Sequence, residues 1–106
     1  MSFFDVYTFR PKPGRSADTA TVTRELNEFS SKYGVSKTRL FTTQVGGEST
    51  GMRVWLTEFE DVRAWGAAHA TMEASPDLGP LIDKIFGPVA PWEPVSRTLL
   101  REVVLP

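Results

Sequence analysis

The sequence predicts an α+β domain of order β-α-β-β-α-(α)-β, a four-stranded antiparallel sheet with its helices packed on one face. Three observations carry this. Apolar and β-branched residues gather in four short runs bounded by glycine and proline. Two longer stretches between them repeat their apolar residues at helical spacing. A glycine-rich turn joins the second and third runs as a hairpin. The chain has 106 residues, which is one domain, 1–106.

The first strand is expected over residues 2–10, stopped by Pro11, Pro13 and Gly14. Its two parities are Phe4, Val6, Thr8 and Phe3, Asp5, Tyr7, Phe9. Both carry apolar groups, so both faces are expected to be covered. The first helix follows over 16–33, with Val22, Leu26, Phe29 and Tyr33 on one face. Ser16 is the expected N-cap, Asp18 suits the positive end of the helix dipole, and Gly34 suits the left-handed exit.

Strands over 37–45 and 52–59 flank the turn at 46–51. Met52, Val54 and Leu56 share one parity of the latter, Trp55 and Phe59 the other. A second helix starts near Asp61 and aligns Val62, Trp65, His69 and Met72. Ser75-Pro76-Asp77 reads as a new helix start, with Leu78, Leu81, Ile82 and Ile85 as its apolar stripe and Gly87-Pro88 as its stop. Residues 88–94, with three prolines and Trp92, read as an extended connection. The last strand is expected over 95–105.

Composition narrows function. Hydrophobic residues are 41% and charged residues 24%, as in a folded globular protein. Twelve basic residues stand against 13 acidic ones, a net charge of −1. That balance offers no electrostatic reason to bind nucleic acid or an anionic membrane. With 0 cysteines, disulfides, thiol nucleophiles, zinc–thiolate sites and iron–sulfur clusters are excluded. With 1 histidine, a two-histidine site needs a second chain. No motif predicts a metal or cofactor. The N-terminal residues do not form a signal peptide pattern, and no window approaches the roughly 18 apolar residues of a membrane helix. The expected compartment is the cytoplasm.

A sheet with helices on one face turns its other face to water. Here several strands are apolar on both faces, more than a monomer ordinarily exposes. The expectation is a homodimer packed through sheet faces.

Several short motifs resemble one known group. They are Arg10-Pro11-Lys12-Pro13-Gly14-Arg15 after the first strand, and Arg39-Leu40-Phe41-Thr42-Thr43 before the hairpin. Val54-Trp55-Leu56-Thr57-Glu58-Phe59-Glu60-Asp61 and Ala74-Ser75-Pro76-Asp77 complete the set. On these the chain resembles the dimeric α/β-barrel superfamily, of ferredoxin-like fold, and within it the NIPSNAP-like domains. Thr57 stands where an aromatic often precedes the glutamate, and Leu78 stands near where a tryptophan is expected. The resemblance implies no catalytic set. The wider superfamily includes cofactor-free monooxygenases, polyketide cyclases, isomerases and haem-handling enzymes, so the fold does not choose a function. The haem-degrading members imply an asparagine on the first strand, where this chain has Asp5.

Candidate chemistry centres on His69, the residue type that shuttles protons near neutral pH. Against this stands a histidine simply satisfied by a backbone carbonyl. Tyr7 and Asp5 share one strand face and are candidate pocket acids. Against that, Asp5 and Glu58 pair with Arg39, Arg53 or Arg97 across the sheet. Trp55, Trp65, Trp92 and Phe41 are candidate ligand-binding walls, or else core and interface anchors. The turn at 46–51 lacks the Gly-Lys-Ser/Thr ending of a phosphate loop. Arg10, Lys12 and Arg15 form a basic cluster near a helix start, either an anion site or a solvated turn.

Two function classes follow. The first is a dimeric domain binding a small apolar ligand or acting as an accessory protein, with a filled core around His69. The second is a cofactor-independent monooxygenase or cyclase using His69 as general base. That reading requires a closed apolar cavity of roughly 300 Å³ or more with His69 in its wall.

Overall fold

A computed structural model describes residues 2–35 and 37–106. The elements run β1 (Phe3–Pro11), α1 (Ser16–Ser31), β2 (Lys37–Thr42), β3 (Arg53–Phe59), α2 (Val62–Glu73), α3 (Leu78–Phe86) and β4 (Trp92–Arg101). The sheet order is β2-β3-β1-β4, with every neighbouring pair antiparallel. This is the βαββαβ arrangement expected of the sequence. No helix is long and apolar enough to cross a membrane among the described residues.

Helix boundaries follow local chemistry. Asp61 caps α2, its side chain accepting a hydrogen bond from the Ala64 amide at 2.8 Å. Ser16 is not the cap of α1 but its first residue. Arg15 takes the cap position without a side-chain bond and pairs instead with Asp18 at 3.0 Å. Gly34, at φ +83°, turns the chain out of α1 as expected. Ser75-Pro76-Asp77 forms a turn before α3 rather than its first residues; the Ser75 hydroxyl accepts from the Asp77 amide.

Strand register decides which parity meets the helices. Asp5 faces Thr57 of β3 and Leu99 of β4; Tyr7 faces Trp55 and Arg97. These residues, with Phe3, Phe9 and Phe59, lie on the helix side. The core is one cluster of Phe9, Leu26, Phe29, Leu81 and Trp92, and a second of Val35, Phe59 and Ala68. Val62, expected on the inner face of α2, is 54% exposed. Ala68 is buried there instead, because Trp65, Ala68, His69 and Met72 form a face that Val62, at the first turn, lies beyond.

The opposite parity forms the open face. Val6, between Leu56 and Thr98, sits at its centre, with Phe4 and Val54 beside it. Phe41 and Leu100 flank this group and are 47% and 48% exposed. The result is a slab of 41 × 40 × 17 Å, with none of the described residues packed over one side of the sheet. Two end assignments differ from expectation. The last strand begins at Trp92 and ends at Arg101, so 102–106 is not strand. β2 ends at Thr42, three residues short of the expected boundary.

Candidate functional site

The helix-side parity of β1 and β4 and the inner face of α2 bring one polar group of residues together. Asp5 is almost wholly buried, its side chain 5% exposed. Arg97 donates to it twice, from Nε to Oδ1 at 3.1 Å and from Nη2 to Oδ2 at 2.7 Å. The Trp65 indole N–H donates to Oδ2 at 3.0 Å. A buried carboxylate is tolerated only with such partners. The guanidinium also lies 5.1 Å above the Tyr7 ring and 5.8 Å from the Trp65 ring.

His69 completes the cluster. Its Nδ1 lies 2.9 Å from the Trp65 carbonyl oxygen, one turn back on α2. A carbonyl only accepts, so Nδ1 carries the hydrogen. Nε2 then presents its lone pair, 3.3 Å from Arg97 Nη2 and 3.6 Å from Asp5 Oδ2. In this arrangement the imidazole accepts from Arg97.

Two shifts follow from the packing. Burial raises the Tyr7 phenol above its ordinary value; Arg97 opposes this and Asp5 adds to it. The hydrogen bonds from Arg97 to Asp5 raise the guanidinium further, against the effect of its own burial.

Beside the cluster, between helices and sheet, is a cavity of about 550 Å³, open on one side. Tyr7, His69 and Arg97 line its polar end. Trp55, Ile85 and Phe86 are among its mostly apolar walls. Phe86 packs 6.4 Å from the Tyr7 ring and Trp55 stacks 6.0 Å from it. A shallower depression of about 720 Å³ lies at the other end of α2. Its rim carries Lys37 and Glu58, which pair at 3.1 Å, and it gathers no buried polar cluster. The chemistry therefore sits at the smaller cavity.

The structure thus unites Asp5, Tyr7, Trp65 and His69 and separates other candidates from them. Asp5 lies behind the wall as the counter-ion of Arg97 and does not line the cavity. Glu58 pairs with Lys37 rather than with an arginine. Trp92 is not in a loop. It opens β4, is 3% exposed, packs with its ring centroid 4.2 Å from that of Phe9 in a tilted pair and donates to the Ile85 carbonyl. It is core that also floors the cavity. Phe41 falls on the open sheet face, because it pairs with Val54 and so points away from Leu40 and Trp55. The basic cluster donates to backbone: Arg10 reaches the Glu48 carbonyl, Lys12 that of Pro88 and Arg15 that of Val89. Nor is the core filled around His69, since the cavity lies beside it. Sequence reasoning placed Arg97 only as an ion-pair partner; its place in the wall depends on β4 register, which no local pattern encodes.

No family model matches the sequence, and no curated protein matches it. Solved structures do match in fold. A NIPSNAP family protein with unknown function from Agrobacterium tumefaciens superimposes with a TM-score of 0.71 at 18% identity, covering 93% of this chain and 86% of that one. The fold is that of the NIPSNAP proteins. An uncharacterized NIPSNAP-like domain protein from Burkholderia xenovorans gives 0.66 at 16% identity, over 99% and 89% of the two chains. SnoaB, a cofactor-independent oxygenase from Streptomyces nogalater, gives 0.69 at 14% identity over 98% and 95%. The NIPSNAP-like, ferredoxin-like architecture expected from the motifs is therefore the observed one, and at these identities the likeness is one of fold.

Proposed function

We propose that this NIPSNAP-like protein is a homodimer that binds one small, mostly apolar molecule per protomer between helices and sheet. The cavity carries the binding reading. It has apolar and aromatic walls with a single fixed polar end, the usual composition of a small-molecule site. The open sheet face supports the dimer. The chain exposes 6917 Å², whereas a monomer of its mass exposes about 5,900 Å². The excess resembles the roughly 800 Å² that each partner contributes to a stable interface. A second copy over Val6, Leu56 and their neighbours accounts for it with two-fold symmetry.

An oxygenase or cyclase reading with His69 as general base is less well supported. The cavity it requires exists, but it is open on one side rather than closed, so a reacting substrate would not be sealed from water. Native mass spectrometry of the purified protein tests the proposal, together with uptake of the neutral fluorophore N-phenyl-1-naphthylamine. Dimer mass and one probe per protomer are expected. A monomer removes the interface argument, and absence of probe binding removes the cavity argument.

A further inference from the structure

The cavity wall has two charge states, and its geometry ties them to the ligand. His69 Nδ1 keeps its hydrogen on the Trp65 carbonyl, so Nε2 is the nitrogen that gains or loses a proton. When Nε2 is bare it accepts from Arg97 Nη2 at 3.3 Å, and Asp5 balances Arg97. The wall is then neutral. When Nε2 is protonated, two cations stand at that same distance. The new N–H then stands 3.6 Å from the Asp5 carboxylate. One carboxylate then serves two cations, and the wall carries one net positive charge. Arg97 Nη1 has no acceptor among the described residues.

Few other charges face this nitrogen. From β1 come Asp5 and Tyr7, and from β4 comes Arg97, with Arg101 four residues further along the same strand face. On α2 itself Glu73 stands at the cavity lining one turn beyond His69. The stretches of α1 and α3 that line the cavity are apolar apart from Ser30.

We propose that the cavity takes a flat apolar carboxylate together with one proton, the proton on His69 and the carboxylate on Arg97. This rests on the binding reading above and adds the class of ligand. A single negative charge balances the protonated wall, whereas a doubly charged phosphate overshoots it. The planar guanidinium suits a carboxylate geometrically. Trp55, Phe86 and Tyr7 offer aromatic surface to the ligand body.

The test compares 2-naphthoate with 2-naphthamide, which share a ring system and differ in charge. Each displaces N-phenyl-1-naphthylamine from the intact protein between about pH 5.5 and 8.5. Naphthoate affinity is expected to rise as pH falls, by up to about tenfold per unit, while naphthamide affinity stays level. In His69→Gln the naphthoate slope disappears. In Arg97→Gln the fluorophore still binds but the preference for naphthoate over naphthamide is lost. Should that variant fail to fold, Asp5→Asn with Arg97→Gln removes both charges and is expected to lose the preference equally. Level naphthoate affinity in the wild type, or a slope that survives His69→Gln, overturns the proposal and leaves the cavity reading intact. Failure of the fluorophore to bind the wild type overturns both.

Discussion

Arg97 and Asp5 are diagonal neighbours across the β1–β4 ladder. Arg97 pairs in register with Tyr7, and Asp5 with Leu99, yet the guanidinium reaches back one step to grip the carboxylate through Nε and Nη2. The diagonal lays the guanidinium over the Tyr7 ring on its way. It also leaves the Arg97 tip beside His69, so one ion pair organises the whole polar end of the cavity.

That pair sets the first prediction. Arg97→Gln leaves the Asp5 carboxylate buried with the Trp65 indole as its remaining donor. The expected cost is about 1–3 kcal/mol, below the 3–5 of a fully dry pair because Arg97 reaches water. Adding Asp5→Asn removes the orphaned charge, so the double variant is expected to cost less than the sum of the two single changes, by at least about 0.5 kcal/mol. Urea unfolding of the four proteins measures the coupling; strict additivity would contradict it.

Trp92 holds the floor of the cavity to the core. It is buried, packed against Phe9 and bonded to the Ile85 carbonyl at the end of α3. Trp92→Ala is expected to destabilise by about 3–5 kcal/mol. Trp92→Phe keeps most of the apolar burial and loses the indole bond, so its cost is expected to be clearly smaller. Equal unfolding midpoints for the two variants would show that the tryptophan is not packed as described.

Tyr7 sets an alkaline limit. Its phenol titrates higher in the folded protein than in the unfolded chain, chiefly because it is buried. Below about pH 10 both states hold the proton and Tyr7 adds no pH dependence. Above it the unfolded chain releases the proton first, so stability falls as pH rises. Tyr7→Phe is expected to lose less stability than wild type between about pH 9 and 11, read from urea midpoints at the two values. An identical loss in both proteins would count against the burial argument.

The open face makes the last prediction. Val6 lies at its centre, between Leu56 and Thr98. Val6→Glu places a charge where a second sheet would pack, and an unpaired buried charge is strongly unfavourable. Sedimentation velocity is expected to show a dimer for wild type and a monomer with native circular dichroism for the variant. A variant that stays dimeric would place the interface elsewhere.

The sequence by itself determined the element order, the inner faces of α1 and most of α2, the start of α2 near Asp61 and the presence of apolar groups on both faces of β1. These are signals of period two or 3.6, or of a few adjacent residues, and the chain carries them locally. It also supplied Asp5, Tyr7 and His69 as candidates by type. Only the tertiary structure decided what they do. Asp5 and Arg97 are 92 positions apart, and their meeting depends on the register of two strands brought together by the whole fold. The β2–β3 register sent Phe41 to the open face, and the β1–β4 pairing drew Trp92 into the core. The cavity is likewise a tertiary property: it is the space left when α3 and α2 pack over β1 and β4, and no segment of the chain contains it.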